Sequence, residues 1–353
     1  MSQLTLLDMT KRTGSDREIG LIEDVVTFAP ELGIVPVRPI MGTTFKATLR
    51  TAYPNGAFRP IGRGVAPSKS TYVQQLRECF FYDLPLVVDE ALPESEDRSV
   101  GDVLTDESIG AMRGAGIGIS TQFYYGSPGS TATGSDANGF QGIVPFITGN
   151  TGFEVNAGTT AGAANTSSAY LVYLDLHGVH FIAGNTAGAR PSIGSVDEPA
   201  GAPEVVAPPF QMPPWSRQIV ADPVTSANKS FAFVTNIRGW IGMAFGSNNS
   251  AFRVRNINAN LGASTLTFTD KLAAQLLALV PLHIRNSGRL RWFLNRNTAF
   301  GLQTSRSFTS ITNIVPGLAG TLKTGDAYAG LPTESQGIPI IITDSIVNTE
   351  TGI

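Results

Sequence analysis

The search for chemistry in this 353-residue sequence starts from three histidines, one cysteine and a few paired carboxylates. His177 and His180 stand three apart in Ala169 to Ile182, a stretch whose composition predicts a strand. Alternation puts them on opposite faces, so they cannot share a metal, and each reads as a core or surface histidine. His283 has no partner in sequence. Cys79 lies between Glu78 and Phe80 with no CxxC mate and nothing beside it that marks an activated thiolate; alone, it can form no disulfide within the chain. Asp89-Glu90 and Glu94 with Glu96 have the make-up of an acid–base pair, but they flank a predicted helix start, where solvated capping accounts for them. Gly114-Ala115-Gly116-Ile117-Gly118 is not GxGxxG, no strand leads into it, and no GxxxxGK[ST] occurs. Gly158 to Gly162 only echoes the spacing of a nucleophile elbow, within a low-complexity loop. Arg285, Arg289, Arg291 and Arg296 surround a predicted strand, Leu290–Leu294; phosphate contact is one use for them, alternate strand faces and inter-subunit ion pairs another. The residues predict no catalytic, cofactor or metal site.

The elements that would have to position such groups point elsewhere. Charged residues are 15% of the chain against roughly 25% in ordinary soluble proteins, and the net charge is only −3. So few charges on a large chain predict a surface hidden against other chains, while near-neutrality argues against a dedicated nucleic-acid binder. The first residues lack the basic-then-apolar pattern of a secretory signal, and no apolar run approaches the ~20 residues of a membrane span, so the expected location is the cytosol or a particle assembled there.

Thr43 to Tyr82 reads as a two-armed ribbon with no core of its own. Phe45, Ala47, Leu49, Thr51 and Tyr53 alternate with Lys46, Thr48 and Arg50, the period of a half-covered strand. Tyr53-Pro54-Asn55-Gly56 supplies turn chemistry for a tight hairpin, and the chain returns through Phe58, Arg59 and Gly62-Arg63-Gly64 to a second arm, Thr71 to Tyr82. An isolated two-stranded ribbon is marginal in water. Its expected cover is another copy of the chain, with Phe45, Lys46, Arg50, Tyr53, Phe58, Arg59 and Arg63 as candidate inter-subunit contacts.

Residues 1–41 read as an arm with a short helix from Asp16 to Pro30, then an extended segment, Glu31 to Ile40. Leu84 to Val88 predicts a buried edge strand and Ser99 to Tyr125 a long helix, with Val100, Val103, Leu104, Met112, Ile119 and Phe123 facing inward. Gly110, Gly114 and Gly118 form a smooth stripe on that helix, which implies close approach by another element. Strands are expected at Ala169–Ile182, Arg217–Val220, Ser230–Thr235, Trp240–Phe245 and Phe252–Ile257, with an irregular Pro-rich excursion from Pro191 to Pro214. Thr269 or Asp270 caps a helix carrying Leu272, Leu276, Leu279 and Val280 that ends at Pro281. The end returns to β structure at Ile338–Ile342 and Asp344–Val347.

This order of parts resembles the Hong Kong 97-like fold of tailed-bacteriophage major capsid proteins. Gly56-Ala57-Phe58-Arg59 at the ribbon tip, Arg291 to Arg296, and Gly337-Ile338-Pro339-Ile340 with Asp344 and Glu350 are similar to segments of that group. The resemblance implies an α+β chain with an N-terminal arm (1–41), an extended-loop β-hairpin (42–82) and a peripheral domain with its spine helix (83–125). A β-rich axial domain would follow (126–320, part of 265–320 returning to the peripheral domain), then a C-terminal strand of the peripheral domain (321–353). It implies a structural protein that self-assembles as hexamers and pentamers into an icosahedral shell in the host bacterial cytoplasm. The implied partners are a separate scaffolding protein, a portal protein at one vertex and packaged double-stranded DNA bound without sequence specificity, with no membrane. Covalent cross-linking through a tip lysine is not expected, since Lys46 and Lys69 stand on the arms. Two other readings are an encapsulin-like compartment of the same fold and a β-rich hydrolase or surface protein with a pocket near His177 or His283.

Overall fold

The computed structural model describes residues 29–95, 99–131, 134–148, 152–159, 165–184, 210–221, 228–261, 265–307 and 330–350. The helix expected from Asp16 to Pro30 and most of the Pro-rich excursion lie outside them. Glu31 to Ile40 is not wholly extended: a short helix α1 (Glu31–Ile34) precedes strand β1 (Val37–Pro39). The ribbon follows as β2 (Thr44–Ala52) and β3 (Thr71–Glu78), then β4 (Phe80–Asp89), a short helix α2 (Ala91–Ser95) and the long helix α3 (Val100–Tyr125). After these come α4 (Ile143–Thr148), β5 (Glu154–Asn156), β6 (Thr166–Tyr173), β7 (Val179–Ala183), β8 (Ser216–Ala221), β9 (Lys229–Phe245) and β10 (Ala251–Asn258). The last elements are α5 (Asp270–Leu279), α6 (Leu282–Arg285), β11 (Leu290–Leu294), α7 (Arg296–Ser307), β12 (Glu334–Ser335) and β13 (Ile338–Ile342).

Two sheets carry the body. One has the order β1-β7-β9-β4, with β8 also paired to β9; the other has the order β12-β13-β11-β6-β10-β5. Strand β6 is buried on both faces, which its continuous Ala169-Tyr170-Leu171-Val172 permits. Tyr170 and Val172 face a core shared with Ile119 and Phe123 of α3, Phe181 of β7 and Phe245 of β9. Ala169 and Leu171 face a second core with Leu276 of α5, Leu302 of α7 and Trp292 of β11. The six-stranded sheet therefore lies between α3 and the other sheet on one side and helices α5 and α7 on the other.

Several expectations change here. The predicted strand Ala169–Ile182 is two strands in different sheets, because the chain turns at Asp175–Gly178 and Gly178 N–H donates to Asp175 O at 2.9 Å. A Cβ on Gly178 would meet Tyr173 O at 2.3 Å, so only glycine fits that turn. The strands expected at 230–235 and 240–245 are one 17-residue strand, since pairing with β4 from Phe80↔Ile241 to Asp89↔Ala232 carries it through Gly239. The second ribbon arm ends at Glu78, and residues 80–82 belong to β4 in the body. In the body β4 joins β9, and β13 runs parallel to β11. Strand partners are chosen by which edges meet in space, not by adjacency in the chain.

Helix α3 is unbroken over 26 residues, with Ser99 as N-cap accepting from Asp102 N–H. Val103, Leu104, Ile119 and Phe123 are buried as expected, but Val100 and Met112 are exposed, 38% and 48%. The glycine stripe faces open space: a Cβ on Gly110, Gly114 or Gly118 would meet nothing within 4 Å. Among the described residues, no part of the same chain makes the expected close approach. Of the two expected caps, Thr269 is the N-cap of α5, which buries Ala273, Leu276 and Leu277, while Leu279 is exposed.

Candidate functional site

The ribbon is the part of the fold that its own chain does not explain. Strands β2 and β3 pair antiparallel from Thr44↔Glu78 to Ala52↔Thr71, and no residue of either strand is buried. Pairing stops at Ala52, so Tyr53-Pro54-Asn55-Gly56 does not make a tight hairpin. The tip is an irregular excursion, residues 53–70, with one turn closed by Arg63 N–H on Pro60 O and a positive φ at Gly62. Prolines 54, 60 and 67 lack the N–H a ladder needs, which explains why the strands end early. Tyr53, Phe58, Ile61, Tyr72, Val73 and Leu76 all stand exposed, Phe58 and Ile61 completely.

The root of the ribbon, in contrast, is fixed. Cys79 N–H donates to Thr43 O at 2.8 Å. The Cys79 side chain is buried, and burial pushes its thiol up to about 11, so it is no nucleophile. At Gly242 a Cβ would meet Glu78 O at 2.5 Å, so a bare backbone is what lets the ribbon leave the sheet there. Phe45 packs edge-on to His180 at 5.9 Å, with the Arg38 guanidinium 5.1 Å from its ring. Arg77 donates to Gln141 at 3.0 Å and lies 5.4 Å from the Phe245 ring centre. His180 is fully buried; burial, then the Arg38 charge, lower its pKa to about 4, which keeps it neutral.

Of the seven expected contact residues, Phe45 is thus half-buried against its own body, and Lys46, Arg50, Tyr53, Phe58, Arg59 and Arg63 remain exposed on the ribbon. Arg50 is held between two rings, 5.5 Å from Tyr53 and 5.3 Å from Tyr72. Arg59 donates to Arg63 O at 2.9 Å, which shapes the tip.

Two buried carboxylates clasp the end of α3, and sequence reasoning did not single out either role. Glu31 of α1 accepts from Tyr124 OH at 2.9 Å and from Thr343 Oγ1 at 2.5 Å; burial raises its pKa despite these bonds. Glu350 accepts from Tyr125 OH at 2.6 Å, from Tyr170 OH at 3.0 Å and from the Arg253 guanidinium at 2.9 Å, with Ser168 as a further donor. Burial alone would lower the pKa of Arg253, but Tyr170 and Glu350 outweigh it and hold the guanidinium charged. The Tyr124-Tyr125 doublet was the available signal: two phenols at a helix end that burial would oblige to find acceptors.

The catalytic candidates disperse. His177 is an exposed turn residue bonded to Asp175, His180 is core, and His283 is exposed on α6. Among the described residues, no group of three His, Cys, Asp or Glu could hold a metal ion, and no helix is long and apolar enough to cross a membrane. Two of the four clustered arginines are paired within the chain, Arg289 to Asp175 and Arg296 to Asp344, rather than gathered as a phosphate site.

A chain with an anchored, uncovered ribbon, a long helix and two sheets has the architecture of a shell-forming protein, the Hong Kong 97-like fold of tailed-phage capsids. It superposes on a chain of bacteriophage epsilon15 with a TM-score of 0.68 and 15% identity, covering 100% of this chain and 98% of that one, a likeness of fold. The bacteriophage JBD30 capsid gives a TM-score of 0.45 at 11% identity over 98% and 99% of the two chains, and the native GTA particle capsid 0.38 at 13% over 69% and 95%. No curated protein sequence matches the chain. The family model of major capsid protein GP7 matches residues 38–353, and the chain belongs to that family. It is a structural protein of the phage virion that builds a multi-copy capsid, not an enzyme.

Proposed function

We propose that the ribbon, residues 43–79, lies on a neighbouring copy, and that the copies join as hexamers and pentamers closing into an icosahedral head shell around double-stranded DNA. The observation that carries this reading is a ribbon without a single buried residue in either strand, bearing seven exposed large apolar side chains. Such a surface is marginal and adhesive until something covers it. Its fixed root favours a preset direction, which assembly by many modest interfaces requires. In this reading Lys46, Arg50, Tyr53, Phe58, Arg59 and Arg63 make the inter-subunit contacts and Phe45 aims the ribbon. The helix α3 serves as the spine of a peripheral domain that the long strands β4 and β9 complete. The six-stranded sheet with its loops forms the axial domain around the symmetry axes. A separate scaffolding protein and a portal at one vertex guide closure in the host bacterial cytoplasm. The net charge of −3 suits a wall that encloses DNA without gripping it in a sequence-specific way.

Negative-stain electron microscopy and sedimentation of the purified protein, alone and with its scaffolding protein, test this. Polyhedral shells, or rings of five and six, are the expected outcome. A monodisperse species near 37.3 kDa under both conditions would overturn it.

A further inference from the structure

Asparagine is followed by glycine twice in this chain, at Asn55-Gly56 and at Asn138-Gly139. The pair is chemically labile, because glycine has no Cβ to screen its nitrogen from the carboxamide of the residue before it. The fold treats the two pairs in opposite ways. Asn138-Gly139 sits in a closed turn: Gly139 N–H donates to Asp136 O at 3.1 Å, and Asn138 N–H to the Asp136 carboxylate at 2.9 Å. Gln122 of α3 clamps that turn, accepting from Asp136 N–H at 2.8 Å and donating to Asp136 O at 3.1 Å and to Phe140 O at 2.8 Å. A Cβ on Gly139 would meet Gln122 Nε2 at 2.3 Å, so the backbone there has no room to swing. Asn55-Gly56 instead stands at the ribbon tip, where every residue from Tyr53 to Lys69 is exposed. Among the described residues, Ser68 Oγ–H donates to the main-chain O of Asn55 at 2.7 Å, while neither the Asn55 carboxamide nor the Gly56 N–H is bonded. A Cβ on Gly56 would meet nothing within 4 Å.

We propose that Asn55-Gly56 is a self-modifying site, and that it marks copies of the chain that have aged with the ribbon tip uncovered. The Gly56 nitrogen gives up its proton to solvent and attacks Cγ of Asn55, forming a C–N bond that closes a succinimide ring. The Cγ–Nδ2 bond breaks, and the amide nitrogen takes up a proton and leaves as ammonia. Water then opens the ring at either carbonyl. One product is aspartate; in the other, isoaspartate, the main chain runs through the former side chain and gains a methylene. Water is the sole co-reactant. Both products put a carboxylate among Arg59, Arg63 and Lys69, on a tip that has no acidic residue. Isoaspartate also displaces the Asn55 carbonyl that Ser68 holds. The marking role rests on the reading that the ribbon lies on a neighbour: a covered tip cannot swing into the ring-closing geometry, and an altered tip no longer fits its cover.

Peptide mapping by mass spectrometry of the unassembled full-length chain tests the chemistry. Trypsin isolates the pair in Thr51–Arg63, since Pro60 protects the bond after Arg59. Conversion at Asn55 is expected to quicken as pH rises, because the attacking nitrogen must lose its proton, and to give both aspartate and isoaspartate. It should run about tenfold ahead of Asn138, whose turn must first break a hydrogen bond. Gly56→Ala puts a methyl beside the attacking nitrogen, in open space, and should slow conversion at Asn55 about tenfold while leaving Asn138 unchanged. Equal rates at the two asparagines, aspartate without isoaspartate, or conversion indifferent to Gly56→Ala would overturn the site. Fresh Gly56→Ala is expected to form shells as the unsubstituted chain does; should it not, Asn55→Gln, which disfavours the ring by enlarging it, takes its place. After identical ageing the unsubstituted chain should form fewer shells than the variant, and chain already in shells should convert about tenfold more slowly than free chain. Aged chain that assembles as well as fresh chain would overturn the marking role. Conversion as fast in shells as in free chain would strike the covered-ribbon reading, while the chemistry at Asn55 stood.

Discussion

Removing the Glu350 carboxylate should strand a charge inside the protein. The Arg253 side chain is 3% exposed, and its remaining acidic neighbour, Glu154, is 3.6 Å away. Breaking one side of such a buried pair costs about 3–5 kcal/mol, because the remaining ion keeps its desolvation penalty without its partner. The phenols of Tyr125 and Tyr170 lose their acceptor in the same step, and an unsatisfied buried hydroxyl costs about 1–3 kcal/mol. These terms overlap, since Glu154 can draw closer and water can enter, so Glu350→Ala is expected to lose about 3–5 kcal/mol in total. Glu350→Gln keeps the shape and one acceptor but not the charge, and should lose about 1.5–3 kcal/mol. R253M/E350M removes both ions and should fall between the unsubstituted chain and Glu350→Ala, since the two hydroxyls are still left. Urea unfolding of unassembled subunits, followed by the fluorescence of the fully buried Trp292, measures the differences. A loss below about 1 kcal/mol for Glu350→Ala, or a double variant as damaged as Glu350→Ala, would refute the reasoning.

Other outcomes follow from the same physical terms. Glu31 has a folded-state pKa raised above the ordinary 4.5, so its contribution is full below pH 4.5 and is lost as pH rises through the folded value. Glu31→Gln should therefore gain stability relative to the unsubstituted chain between pH 5 and pH 8 in paired unfolding curves; a gain that shrinks as pH rises would contradict the sign. Gly110→Ala and Gly114→Ala place a methyl in open space on α3 and should each stabilise unassembled subunits by about 1 kcal/mol in thermal or urea unfolding. If these glycines border a contact between copies, the same substitutions should slow shell formation, read by light scattering.

Much of this protein was legible before any fold was known. The period of two in Phe45–Tyr53 specified a strand, and its scarcity of apolar partners specified that the ribbon lacked its own core. The two helix starts were legible to within a residue, near Ser99 and at Thr269 or Asp270, because N-capping is a contact between near neighbours in sequence. In the sequence a lone Cys79 and scattered histidines supply neither nucleophile–base nor ligand spacing. What the residues could not decide was who pairs with whom. That β4 runs along β9, that β13 joins β11, and that the second arm stops at Glu78 depend on edges that lie far apart in the sequence meeting in space. The tip misled for a related reason: Asn55-Gly56 permits a tight turn, but permission is local and the register is set where the strands pair. The same holds for Glu31 and Glu350, ordinary carboxylates in sequence. Only the packed structure places each beside a tyrosine at the end of α3 and removes the water that would otherwise have made them unremarkable.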